Sequence, residues 1–431
     1  MHGINGDAHD RTPLIGVLSR SNSYHYDESE NAFTRYPKHF LHLTKRLLFS
    51  NIVNVLLVFV PLGIIAGALG WDPVAVFALN FCAIVPLASL LSFATEQLAA
   101  NLGQTIGGLL NASFGNAVEL IVSIVALRDN EIRIVQSSML GSMLSNILLV
   151  LGCVFLVGGY GRLEQSFNMT AASTMSSLMT VASASLIIPA TLFAGLKKPK
   201  HGGSQKEAND EIDDQIRFLS HGTSIILLVL YVMYLYFQLK SHNKFFDEPE
   251  SERGPGQGQQ SGDGEHHNDD AEASAGEQGG DEEEIEEEEV FLSPIAAAIA
   301  LVLITVAVAV CAEALVGSIT EVTQRLNISK TFIGLILLPI VGNAAEHVTA
   351  VVVARKGKMN LAIGVAIGSS MQIALLITPA LVILGWIMNR NMTLHFETFE
   401  TVVFFLSTIV VNSLISDGKS NYLEGAMLIG T

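Results

Sequence analysis

The chain has 431 residues, half of them hydrophobic and only 15% charged, with a mean hydropathy of +0.44. A soluble domain carries about 25% charged residues, so a water-soluble enzyme is excluded, and nucleic acid is not expected as a partner. The net charge of −17 is local, because residues 247–289 hold 18 acidic residues and a single basic one, Arg253, which leaves the remainder neutral.

In chain order, residues 1–46 read as a polar cytosolic arm ending in Lys38, Lys45 and Arg46. The apolar blocks that follow are long enough to span a bilayer, which takes about 18 residues or more. Spans are expected at about 47–70, 73–94, 104–127, 134–159, 170–195 and 219–239. Trp71 sits where an interfacial aromatic would, and Arg128-Asp129-Asn130-Glu131 is a tight charged turn. The polar start places the first span too deep for a cleaved leader, so that span serves as the targeting signal. Residues 240–290 form a low-complexity linker whose end, Asp281, Glu282, Glu283, Glu284, Glu286, Glu287, Glu288 and Glu289, is almost continuous carboxylate. Further spans are expected at about 291–315, 331–354, 360–387 and 397–415. A last apolar run begins near Tyr422 and is too short to cross, so an eleventh span is expected to be truncated here. Cys82, Cys153 and Cys311 all lie in apolar blocks and read as small buried hydrophobes, with no disulfide framework.

A shift of 227 residues superposes Gly115-Asn116-Ala117 and Glu119 on Gly342-Asn343-Ala344 and Glu346, and carries Gly141-Ser142 onto Gly368-Ser369 without a gap. General likeness among apolar helices explains matched leucines, but not a matched Gly-Asn-Ala-x-Glu. The two copies sit on the third and eighth spans, five crossings apart, so they run in opposite directions. This is the inverted-repeat plan of secondary transporters, with substrate bound near the midplane. By parity the linker lies on the same side as the N-terminal arm, although Lys197, Lys198 and Lys200 fall on the opposite side.

A carboxylate in mid-span is costly unless it is paired, protonated or bound to a cation. Glu119 and Glu346 without a nearby Lys or Arg suit a divalent cation held by hard oxygen donors, Ca2+ or Mn2+. The glycine before each asparagine is expected to let the helix break and free backbone carbonyls. Without metal the two carboxylates repel and take up protons, so the site holds either metal or protons. His347 either assists this exchange or is a satisfied core histidine. Asn116 and Asn343 either ligate the cation or cap the broken helices. Ser142, Ser369 and Gln372 either add oxygen ligands or allow close helix packing. Glu96 and Glu313, near the ends of the second and seventh spans on opposite faces, read as access or proton-relay residues, or else as interfacial charges. The run 281–289, with His266-His267 nearby, either attracts cytosolic cations or is a solvated linker.

Asn111-Ala112-Ser113-Phe114-Gly115-Asn116-Ala117-Val118-Glu119 and Gly342-Asn343-Ala344-Ala345-Glu346-His347 resemble the two signature repeats of the cation/proton exchanger family within the calcium/cation antiporter superfamily. The similarity is greatest to fungal vacuolar Ca2+/H+ exchangers and covers residues 35 to the end. The resemblance implies an all-α membrane protein: a peripheral first helix (47–70), a first five-helix repeat (73–239), a cytosolic acidic linker (240–290) and a second, inverted repeat (291–431, incomplete at its C-terminus). It implies that Glu119 and Glu346 are the essential Ca2+ ligands, with Asn116, Asn343 and Gln372 in or beside the site and His347 completing the family's Glu-His pair. It implies exchange of cytosolic Ca2+, with Mn2+ as an alternative cargo, for vacuolar protons, and no cofactor. The Pro-Glu and Pro-Asp of sodium/calcium exchangers are missing from both motifs, which favours protons over Na+. A sodium-coupled exchanger remains the first rival, and a cation channel the second. A channel would line a pore with acidic rings, whereas here one pair sits in an inverted repeat.

Overall fold

A computed structural model of the chain describes residues 52–196, 205–242 and 292–431. The arm at 1–46, the linker beyond residue 242 and the run 281–289 lie outside the described residues.

The described residues are almost wholly helical. The helices are α1 (Val53–Ala68) and α2 (Pro73–Leu102), then α3 in two pieces, Gln104–Phe114 and Ala117–Arg128. They continue with α4 (Ile132–Gly158), α5 (Met169–Leu196) and α6, Gln205–Tyr236, which a wider turn extends to Ser241. After the linker come α7 (Pro294–Leu326), α8 in two pieces, Lys330–Gly342 and Ala344–Arg355, and α9 (Met359–Ile387). The series ends with α10 (Thr398–Leu414) and α11 (Tyr422–Gly430). Among the described residues six helices are long and apolar enough to cross a membrane, and α8, bent by 54° at its break, makes a seventh if its halves count as one span.

Local chemistry sets the starts. Asp72 accepts from the Val74 amide at 3.0 Å and Pro73 opens α2, while Ser293 caps α7 ahead of Pro294. Both are the expected arrangement of an oxygen cap followed by a proline that lacks the unneeded N–H. The stops lie further along than the hydropathy pattern places them. Glu96 to Leu102 are good helix formers, so α2 runs to Gly103, which takes a φ of +79°. In the same way α7 continues to Asn327 at φ 54°.

Contacts sort the turns into two ends. At one end Arg325 pairs with Asp72, Lys330 with Glu131 at 2.7 Å, Arg133 with Glu400, and Arg390 donates to the Arg128 carbonyl at 2.6 Å. These join the α1–α2, α3–α4, α7–α8 and α9–α10 turns. At the other end the Leu292 amide donates to Gln97 at 3.2 Å, and the Asn168 amide donates to Asn360 at 2.5 Å. There too the strands β1 (Gln165–Ser166) and β2 (Lys419–Ser420) pair antiparallel. The second end is the one at which the chain leaves for the linker and returns from it. Consequently α3 runs away from the linker end and α8 runs toward it, so the two motif helices are antiparallel.

The 227-residue shift also appears in the backbone. A wider, π-type turn at Ser145–Val150 in α4 has its counterpart at Ile373–Ile377 in α9. Such turns interrupt a helix at a cost and concentrate at functional sites.

Candidate functional site

Glu119 and Glu346 come together in the middle of the molecule. Each stands in the first turn of the second half of a broken helix, in α3 and α8 respectively. The positive end of each half-helix therefore faces the carboxylate it carries and offsets part of the cost of burying charge. The two carboxylates are near enough to interact electrostatically. Glu119 packs against Gly342 so closely that a Cβ there would stand 2.6 Å from its Oε1.

The breaks fall on the asparagines rather than on the glycines before them. Asn116 (φ −106°, ψ 30°) and Asn343 (φ −85°, ψ 7°) leave the helical region, and neither side chain caps its helix. Gly342 serves instead to make room for Glu119, since its own φ is not positive. The expectation that glycine supplies the break is corrected on this point: space, not backbone freedom, is what Gly342 provides.

A continuous hydrogen-bonded chain leads from Gln372 to Glu346. Asn116 Nδ2 donates to Gln372 Oε1 at 2.9 Å, and Ser369 Oγ donates to Asn116 Oδ1 at 2.8 Å. Asn146 Nδ2 then donates both to Ser369 Oγ at 2.9 Å and to Glu346 Oε2 at 3.0 Å. Across the site Asn343 Nδ2 donates to the Ser142 carbonyl at 3.3 Å. Three buried oxygens here have no hydrogen-bond partner: Asn343 Oδ1, Ser142 Oγ and Asn146 Oδ1. An unpartnered buried oxygen costs about 1–3 kcal/mol, which a bound cation would offset. The donor set is thus two carboxylates plus neutral oxygens, a hard set suited to Ca2+ or Mn2+. Among the described residues no group of three or more His, Cys, Asp or Glu side chains is placed to hold one metal ion together.

His347 braces the break. Its Nδ1 lies 2.6 Å from the Asn343 carbonyl, which can only accept, so Nδ1 carries the proton; Nε2 lies 3.3 Å from Ser145 Oγ. The side chain thus ties the first turn of the half-helix to α4.

A cavity of about 180 Å³ reaches Glu346, Ser369 and Gln372 and is also lined by Glu96, Asn111 and Gly364. Its lining residues lie on the linker-end halves of α2, α3, α8 and α9, so it approaches the glutamates from that end. Glu96, held by Ser92 Oγ at 3.0 Å, stands in this path. Glu313 does not: it pairs with Arg128 at 3.0 Å and lines a separate groove of about 400 Å³ beside Trp71 and Glu321. On the far side of the glutamates α4 and α8 are in close contact. A Cβ on Gly141 would collide with the Leu335 carbonyl, and one on Gly334 with the Ser137 hydroxyl.

Sequence reasoning missed Asn146 and Ser145. Their signal was a pair of adjacent polar residues within the span at 134–159, four residues beyond Gly141-Ser142.

Two antiparallel broken helices presenting one carboxylate each, inside an all-helical membrane bundle, define a membrane ion exchanger of the inverted-repeat class. The sequence profile described as Sodium/calcium exchanger protein matches residues 73–240 and 296–431, one stretch on either side of the linker. The chain is 44% identical over 428 residues to a Vacuolar calcium ion transporter of Schizosaccharomyces pombe, covering 98% of this chain and 91% of that one. It is 39% identical to a Ca2+/H+ antiporter of Aphanothece halophytica, covering 90% and 95%. Among solved structures it is similar to the Ca2+/H+ antiporter protein YfkE, with a TM-score of 0.65 and 32% identity over 88% of this chain and 96% of that one. The chain belongs to the sodium/calcium exchanger protein family.

Proposed function

We propose that this protein is a vacuolar membrane antiporter that moves cytosolic Ca2+ into the vacuole in exchange for protons. The observation that carries the reading is the meeting of Glu119 and Glu346 at two half-helix N-termini, beside three unpartnered oxygens. Two neighbouring carboxylates out of water must lose their mutual repulsion to either a divalent cation or protons. One pair of side chains therefore binds both substrates in turn, which is the minimum that exchange requires. Relatives with Ca2+/H+ antiport in their names support protons over Na+ as the counter-ion.

The same reading gives the other lines their roles. Glu119, Glu346, Asn343 and Ser142 bind the cation; Asn116, Ser369 and Gln372 form the hydrogen-bonded chain at its edge; His347 holds the break in α8. Glu96 collects cations at the mouth of the cavity. Glu313, paired with Arg128 on the opposite side, serves the far approach. The arm and the carboxylate run 281–289 lie in the cytosol, where the run draws cations to the linker end. On that orientation the cavity gives cytosolic access, and alternating access requires it to close while the α4–α8 crossing opens. Mn2+, with its taste for oxygen, is a competing cargo.

Uptake by sealed vesicles tests the proposal. Ca2+ entry should be driven by an inside-acid gradient, stop on addition of a protonophore and ignore Na+. Uptake that survives collapse of the pH gradient overturns proton coupling, and uptake that needs a Na+ gradient favours the sodium-coupled rival.

A further inference from the structure

The two halves of the chain differ sharply in charge at one turn. The shift of 227 residues carries Arg128-Asp129-Asn130-Glu131, the α3–α4 turn, onto Arg355-Lys356-Gly357-Lys358, the α8–α9 turn. The backbone is alike in both, with the third residue left-handed: φ is 62° at Asn130 and 82° at Gly357. The charge is opposite, −1 for one cation and two acids at the far end and +3 for three cations at the linker end. At the far end the charges have partners: Arg128 pairs with Asp129 and Glu313, and Glu131 pairs with Lys330. At the linker end Arg355, Lys356 and Lys358 are exposed, and neither Arg355 nor Lys356 has an ion pair or a side-chain hydrogen bond among the described residues. A fourth cation joins them. Arg162, from the α4–α5 turn, lays its guanidinium on Gly357, where a Cβ would stand 3.3 Å from Nη1 and 3.5 Å from Nη2. The missing side chain leaves that seat open. Glu164, the acid nearest to Arg162 in sequence, is taken by Lys419 at 2.7 Å.

We propose that Arg162 and the turn Arg355–Lys358 bind the phosphate-bearing headgroup of an anionic phospholipid in the linker-side leaflet. Like charges gathered without acids repel one another, and a polyanion removes that repulsion. The neighbours of Arg162 say which polyanion. Tyr160 is 86% exposed and Leu163 is 96% exposed, in a loop beyond the helix ends. An aromatic and an aliphatic side chain beside cations match a membrane surface, where phosphates lie over acyl chains. Basic pockets between membrane helices on the cytosolic side hold anionic headgroups, and the planar fork of arginine suits a phosphate. The general bias of Lys and Arg toward the cytosolic side would only scatter them among the loops of that side. It does not call for four on two turns that meet at one glycine. A headgroup seated there ties the end of α8, the helix that carries Glu346, to the loop that follows α4.

Binding is measured on the full chain, independently of ion exchange. The protein in detergent is titrated with a phosphatidylinositol phosphate, with phosphatidylcholine and with soluble inositol phosphate, and its Tm is followed. The anionic lipid should raise the Tm with concentration, less so at high salt, and phosphatidylcholine should not. A Lys or Arg near an anionic lipid surface contributes about 5-fold to affinity. Arg162→Gln and Lys356→Gln should therefore each weaken binding about 5-fold, and the two together about 25-fold. Lys356→Asp with Lys358→Glu, which restores the charges of the far-end turn, should abolish it. Lys240→Gln removes an exposed cation at the same end and should leave the affinity unchanged. Lys356→Gln, at an exposed and unpaired side chain, decides the matter if Arg162→Gln does not fold. Unchanged affinity in the Arg162→Gln, Lys356→Gln pair overturns the proposal, as does an equal loss in Lys240→Gln. Equal stabilisation by soluble inositol phosphate assigns the cations to a soluble anion. A substitution effect that vanishes once the carboxylates of 281–289 are changed to glutamine assigns them to the chain's own acidic run. Either result removes the lipid from the site.

Discussion

Gly342→Ala is the smallest change that probes how Glu119 is held. A methyl group there would stand 2.6 Å from Glu119 Oε1, 3.1 Å from Cδ and 3.3 Å from Cγ. Ordinary contact begins at 3.4 Å, so the carboxylate oxygen must retreat by the difference, 0.8 Å. Overpacking a rigid neighbour costs about 1–3 kcal/mol, but the tip of a glutamate yields, so the fold should absorb the change at the low end of that range. The site should not absorb it, because a binding constellation tolerates displacements of only about 0.5 Å. A misplacement near 1 Å costs on the order of 100-fold in a positioned reaction. Gly342→Ala should therefore melt within a few degrees of the natural protein and lose about 10- to 100-fold in Ca2+ uptake at limiting Ca2+. Gly222→Ala, where a Cβ meets nothing within 4 Å, serves as the comparison and should transport normally. Unchanged KM and rate in Gly342→Ala would show that Glu119 is not positioned by this contact.

Glu119→Gln and Glu346→Gln should each abolish exchange while leaving a folded protein, because one carboxylate can neither balance a divalent cation nor supply the competition with protons; a normal rate in either variant removes that residue from the site. Gly364→Leu should leave the fold intact, since no atom lies within 4 Å of a Cβ there and the residue borders an open cavity. It should nonetheless stop net transport if the linker-end cavity has to close, and full transport in that variant would refute the required closure.

Much of this arrangement was readable from residues alone, for identifiable reasons. A glutamate in the middle of an apolar block has few explanations, so Glu119 and Glu346 declared themselves, and the 227-residue shift paired them. The opposite sense of α3 and α8 followed from counting apolar blocks, and the two sets of turn contacts agree with it. What hydropathy could not show is where a helix stops inside polar sequence: Glu96 to Leu102 look like a loop by polarity and form helix by propensity. It also could not say which residue bends. Glycine permits a break, but packing decides, and the bend fell on Asn116 and Asn343 while Gly342 was needed for space. Asn146 escaped because repeat matching rewards residues that recur, and its counterpart is Ile373.

The repeat also bears on how the cavity could close. The far crossing of α4 on α8 depends on four positions, with Gly334 against Ser137 and Gly141 against Leu335. The 227-residue shift carries them onto Gly107, Gly364, Gly368 and Gly108, which lie on α3 and α9 at the linker end. There the helices stand apart: a Cβ on Gly364 meets nothing, Gly368 approaches only Met175, and Gly107 and Gly108 lean on Ala99 and Leu239. Small residues let helices approach closely inside a membrane, where no hydrophobic effect drives them together. The far crossing uses that capacity and the linker-end crossing holds it in reserve. The linker-end crossing has glycine at all four places, so no side chain among them opposes an approach of α3 to α9 like that of α4 to α8. Exchange of one crossing for the other would carry the glutamates from one access path to the opposite one without dismantling the half-helix termini that hold them.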